Sequence, residues 1–113
     1  MNARLGAAIL VASAGCADDH GPRLESVTPA SARAGDLVML SGQRLCGDRG
    51  DCEAAGGEIQ FGLELPTLRA RIASYSDRAA EVEVPSMVVP GATTIVITVN
   101  EAASNGLAFE VLP

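Results

Sequence analysis

The chain predicts an all-β fold, a two-sheet β-sandwich of about seven strands, preceded by a segment removed on export. Three features predict it: apolar residues recur with period two along short runs, no comparable stretch shows helical spacing, and Gly, Pro, Asn and Ser close the runs. Period two marks a strand because successive side chains leave the backbone on opposite faces, so that one apolar row per strand is free to be buried. Isolated strand pairs are unstable in water. The rows therefore have to pack face to face, about 10 Å apart.

The first element is a leader. Arg4 supplies a positive start, Leu5 to Gly15 is a run of apolar and small residues, and Ser13-Ala14-Gly15 places only small side chains before Cys16. A membrane-spanning helix needs about 20 apolar residues, and this run is too short. Asp18, Asp19, His20 and Gly21-Pro22 follow at once, so the run does not continue as a core helix either. The segment resembles the lipobox of bacterial lipoproteins, with Ser13 standing where that pattern has an aliphatic residue. The resemblance implies cleavage before Cys16, lipidation of Cys16 and tethering in the cell envelope. Ala17, rather than an aspartate, after the cysteine is similar to lipoproteins released to the outer membrane. The expected division is a signal peptide over residues 1–15, a lipidated cysteine and tether over 16–21, and one domain over 22–113.

Within the domain, Leu24 to Thr28 is a strand closed by Pro29. Val38 and Leu40 alternate before Ser41-Gly42, and Ile59 and Phe61 alternate before Gly62. Leu68, Ala70 and Ile72 share one face of a longer strand that carries Arg69 and Arg71 on the other. Ala80, Val82 and Val84 alternate with Glu81 and Glu83 and stop at Pro85, since proline brings no amide donor to a ladder. Ile95, Ile97 and Val99 form the next row, and Leu107, Phe109 and Val111 the last.

The chain has three cysteines, and an odd count in an exported protein leaves one over. Lipidation of Cys16 leaves Cys46 and Cys52, six apart with two glycines between them, to form a disulfide in an oxidising compartment. Chain-entropy arithmetic for a loop of about seven residues gives at most roughly 2 kcal/mol, so the bond shapes a loop more than it holds the fold. Without its leader the chain carries 7 arginines, no lysine and 14 acidic residues, a net charge of −7 with His20 neutral. That balance offers no basic patch for phosphate and argues against nucleic acid.

Pro22-Arg23-Leu24-Glu25-Ser26-Val27-Thr28-Pro29, followed by Gly35-Asp36, Val38, Leu40 and Gly42, resembles the opening of an IPT/TIG domain. The resemblance continues through Phe61-Gly62, Ser76-Asp77, Val82-Glu83-Val84-Pro85, Pro90-Gly91, Ile95 to Val99 and Ser104-Asn105, with Phe109 and Val111. It covers about residues 22 to 112 and implies an immunoglobulin-like (E-set type) fold. The stretch from Cys46 to Cys52 is extra to the family's pattern.

Candidate sites are few. Arg49-Gly50-Asp51 inside the cysteine ring resembles integrin-binding peptides, but the tripeptide arises by chance in roughly one chain in twenty of this composition. Asp48, Asp51 and Glu53 are weak calcium candidates, lacking the EF-hand order; a solvated acidic loop is the simpler expectation. The only histidine, His20, falls in the tether, so a serine or cysteine nucleophile in the domain has no imidazole base. Glu81 and Glu83 share a strand face that alternation turns to solvent. No cofactor is expected. The expectation is a non-enzymatic, membrane-tethered module acting through protein contacts or as a spacer. Carbohydrate binding is the alternative, with Tyr75 as its one candidate contact, because the chain has no Trp and both phenylalanines fall on inward rows. A carboxylate-dependent hydrolase ranks below both.

Overall fold

The computed structural model describes residues 21–55, 57–63 and 67–113. These form ten strands and one helical turn: β1 (Arg23–Thr28), β2 (Ser31–Arg33), β3 (Leu37–Gln43), α1 (Cys52–Ala55), β4 (Glu58–Phe61), β5 (Leu68–Arg69), β6 (Arg71–Tyr75), β7 (Ala79–Glu83), β8 (Gly91–Val99), β9 (Ala102–Ala103) and β10 (Leu107–Leu112). One sheet has the order β1-β3-β7-β6, and the other β2-β10-β8-β4-β5 with β9 on the side of β8. The first matches the A-B-E-D sheet of the immunoglobulin plan, and β10-β8-β4 matches its G-F-C sheet. The fold is an all-β, immunoglobulin-like sandwich.

The core is made by the predicted rows. Val38, Leu40, Val82 and Val84 from one sheet meet Ile59, Phe61, Ile95, Ile97, Val99, Phe109 and Val111 from the other, all buried. The Phe61 and Phe109 rings cross edge to face, with centroids 5.6 Å apart and planes at 88°, the geometry their quadrupoles favour. Among the described residues no polar or charged residue is buried.

The structure departs from the strand expectations at residues 68–72, at β2 and at the two-residue strand β9, which pairs with the end of β8. The single longer strand expected over Leu68 to Ile72 is two strands in different sheets: β5 pairs with β4, and after Ala70 the chain crosses so that β6 pairs with β7. Ala70 is buried and Ile72 packs against the core, because the turn at Ala70 lies on the sandwich wall, where both sheets share one interior; Leu68, expected on the same face, is only half-buried and is not part of the core. The second departure is β2, an unpredicted strand. The first edge strand changes sheets after Thr28: β1 runs antiparallel to β3, and β2 runs parallel to β10. Pro29, which cannot donate to a ladder, ends the first pairing.

Two contacts hold β1 in place. Asn105, just before β10, accepts the Leu24 N–H at 2.8 Å and donates to the Leu24 carbonyl at 2.9 Å, tying the two sheets together. Opposite Leu24, the position in β3 is Gly42. A Cβ there would run into the Arg23 carbonyl, so this strand approach requires glycine.

Candidate functional site

Strand directions divide the sandwich into two poles. The chain enters at Gly21 beside the 44–57 connection, the β6–β7 turn and the Asn100-Glu101 turn. The opposite pole carries the Ala34–Asp36 turn, residue Leu63, the Val84–Pro90 connection and Pro113. The length of β8, nine residues at about 3.3 Å each, separates the poles by roughly 30 Å.

The cysteine ring sits at the entry pole. Cys46 and Cys52 form a disulfide. Cys46 and Leu45 are buried, and the neighbouring turn holds them: the Leu45 N–H donates to the Asp77 carbonyl at 2.9 Å and the Cys46 N–H to the Asp77 carboxylate at 3.2 Å. The Tyr75 hydroxyl donates to the Leu45 carbonyl. Gly47, at φ +91°, lets the ring lie against the next turn, where an added Cβ would stand 2.7 Å from the Asn100 amide nitrogen. Asn100 and Glu101, both at positive φ between the paired Val99 and Ala102, make the tight two-residue hairpin turn that matches strand twist. The Arg44 guanidinium donates to the Gly21 carbonyl at 2.9 Å and pins the chain entry to the base of the ring. The ring is thus rooted in the core while Asp48, Arg49, Gly50 and Asp51 form an exposed tip.

The structure distributes the sequence candidates unevenly. Arg49 and Asp51 are exposed on the tip, and Glu53 is exposed on α1. Among the described residues no group of three or more His, Cys, Asp or Glu side chains lies close enough to hold a metal ion. Tyr75 is half-buried against the core, opposite the small Ala80. Burial raises its phenol above the usual value of 10.0, with the Asp77 carboxylate adding to the effect. Glu81 and Glu83 lie on the outer face of β7, as alternation predicts, and both are half-buried. Cys16 and His20 lie outside the described residues.

A second surface emerges only from the strand register. On the outer face of the β1-β3-β7-β6 sheet, register places Leu37, Glu83 and Arg71 in one row and Met39, Glu81 and Ser74 in the next. Leu37 is 53% exposed and Met39 39%. Two hollows flank the Glu83–Arg71 step: one of about 340 Å³ reaches Leu37 and Ala73, and one of about 220 Å³ reaches Leu68, Pro85 and Met87. Leu63, Met87 and Val89, the other exposed large apolar residues among those described, are on the same far half of the sandwich. The sequence signal for this face is the run Leu37-Val38-Met39-Leu40, apolar on both faces of its strand.

No family model matches the chain, and no curated protein matches it in sequence. Solved structures do match in fold. A gamma-CGTase from alkalophilic Bacillus clarkii aligns with a TM-score of 0.66 at 22% identity, over 82% of this chain and 12% of its own. A protein of unknown function from Bacteroides thetaiotaomicron aligns at 0.68 and 16% identity, over 84% of this chain and 23% of its own. A fungal alcohol oxidase of the AA5 family aligns at 0.60 and 14% identity, over 81% and 20%. At these identities the likeness is one of fold, and the chain spans about an eighth to a quarter of each of these proteins.

Proposed function

We propose that the chain is a membrane-tethered lipoprotein of the bacterial cell envelope carrying one IPT/TIG-type immunoglobulin-like domain, and that it works without catalysis as a protein-interaction or spacer module. The observation that carries this reading is the polarity of the sandwich. Gly21 enters at the ring pole, five residues after Cys16, a covalent reach under about 18 Å. The exposed apolar side chains Leu37, Met39, Leu63, Met87 and Val89 all belong to the other half. A lipid on Cys16 then holds the ring pole toward the bilayer and presents the apolar half to partners. The same geometry turns the Arg49-Gly50-Asp51 tip toward the anchor, which disfavours it as a ligand for another cell's receptor.

Carbohydrate binding is the weaker alternative because Tyr75, its one aromatic candidate, spends its hydroxyl on Leu45. The test is membrane fractionation with labelled fatty acid: wild-type protein incorporates label and partitions with the envelope, and Cys16→Ser does neither. A Cys16→Ser protein that stays membrane-bound and labelled overturns the lipoprotein reading.

A further inference from the structure

We propose that the outer face of the β1-β3-β7-β6 sheet is a self-association surface, and that its occupant is a second copy of this chain. The face is self-complementary in charge. Arg71 and Glu83 are direct cross-strand partners, one row from the partners Ser74 and Glu81. Two copies set face to face about a two-fold axis running along the strands, between β6 and β7, bring Arg71 of each over Glu83 of the other and Glu81 of each over Ser74 of the other. Among the described residues neither Arg71 nor Glu83 forms an ion pair within its own chain, whereas the nearby Arg69 pairs with Glu58 at 3.4 Å. The axis carries the exposed Leu37 of each copy past the β6 edge, toward the hollow lined by Leu68, Pro85 and Met87. Leu37, Met39 and Met87 then ring a central pair of reciprocal ion pairs and exclude water from them, as the contacts around an interface's central residues do.

The axis direction has a second consequence. A two-fold along the strands leaves both Gly21 entries at the same pole, so two chains tethered to one membrane can meet this way; an axis in the plane of the sheet and across the strands would also bring the two faces together but send the entries to opposite ends. That the two chains share one membrane rests on the lipoprotein reading; the pairing of the two faces does not. Four strands spaced about 4.8 Å apart make a small face, which places the dimer in the weak, transient class.

The experiment uses charge reversal on the native full chain, extracted in mild detergent, with association measured by sedimentation equilibrium and by capture of untagged on tagged protein. Wild type forms a salt-sensitive dimer. Arg71→Glu and Glu83→Arg each place like charges opposite one another twice and weaken self-association by roughly tenfold or more. Mixed together, the two variants pair with each other at close to wild-type strength, because one copy is then acidic and the other basic at both positions, so opposite charges meet across both contacts. Circular dichroism on each variant establishes that the fold is intact. A monomeric wild type, single variants that dimerise normally, or a mixture that stays monomeric overturns the proposal. Every arm shares one N-terminus, so the anchor reading can fail without altering the comparison.

Discussion

Replacing Tyr75 with Phe removes one oxygen and exposes the role of the turn that holds the cysteine ring. The Tyr75 hydroxyl donates to the carbonyl of Leu45, a residue with no exposed surface. Losing an ordinary intramolecular hydrogen bond costs about 0.5–1.5 kcal/mol, and a buried carbonyl left without a donor raises the cost to about 1–3 kcal/mol. We therefore expect about 2 kcal/mol of destabilisation. With a urea m-value near 1 kcal/mol/M for a domain of this size, the unfolding midpoint falls by about 2 M at unchanged m. Far-UV circular dichroism is the assay, since the variant lacks the only tyrosine and the chain has no tryptophan. The same residue predicts an alkaline limb. Burial, then Asp77, raises the phenol in the fold above its ordinary value of 10.0. A raised acid is held protonated by the fold, so this contribution is complete below the unfolded value and is lost as pH climbs through the folded one. Because Tyr75 is the sole tyrosine, phenolate absorbance titrates it alone: its midpoint lies above that of the urea-unfolded chain, and Tyr75→Phe stability declines less between them. A variant within about 0.5 kcal/mol of wild type, or a phenol titrating at its unfolded value, refutes the reasoning.

Asn105→Ala severs both hydrogen bonds to Leu24; the expected cost is about 1–3 kcal/mol, and amide exchange of β1 accelerates more than that of β8. Exchange that rises equally across both sheets would mean that Asn105 is not a local clamp on β1. Replacing Cys46 and Cys52 together with serine lowers stability by at most about 2 kcal/mol by loop entropy, and the sandwich stays folded by circular dichroism. Complete unfolding of that variant at room temperature would show that the ring holds the core.

Much of the sandwich is legible in the chain because burial on one face of a strand imposes alternation. The rows Val82–Val84, Ile95–Val99 and Phe109–Val111 follow from period two alone, and each has its inward residues buried. Alternation does not report which sheet a strand joins. Ala70 and Ile72 keep to the interior while the chain crosses between sheets, since both sheets bury the same core, whereas Leu68 is left half-buried at the wall. The outer face is illegible for a related reason: in the sequence, Leu37 and Met39 are merely the outward residues of a strand defined by Val38 and Leu40. Their neighbours Glu83 and Arg71 lie far away in the chain and meet them only by register. Tyr75 stands out in the sequence as the one aromatic off the inward rows, but its bond to Leu45 joins residues thirty apart.

By itself, the sequence determined the strand rows, their glycine and proline stops and the pairing of two nearby cysteines, because each is set by residues close together in the chain. Only the tertiary structure decided which sheet each strand enters, that the ring and the chain entry share a pole, and that Arg71 stands beside Glu83. Those are long-range relations, fixed by hydrogen-bond register and by the packing of two sheets over one core.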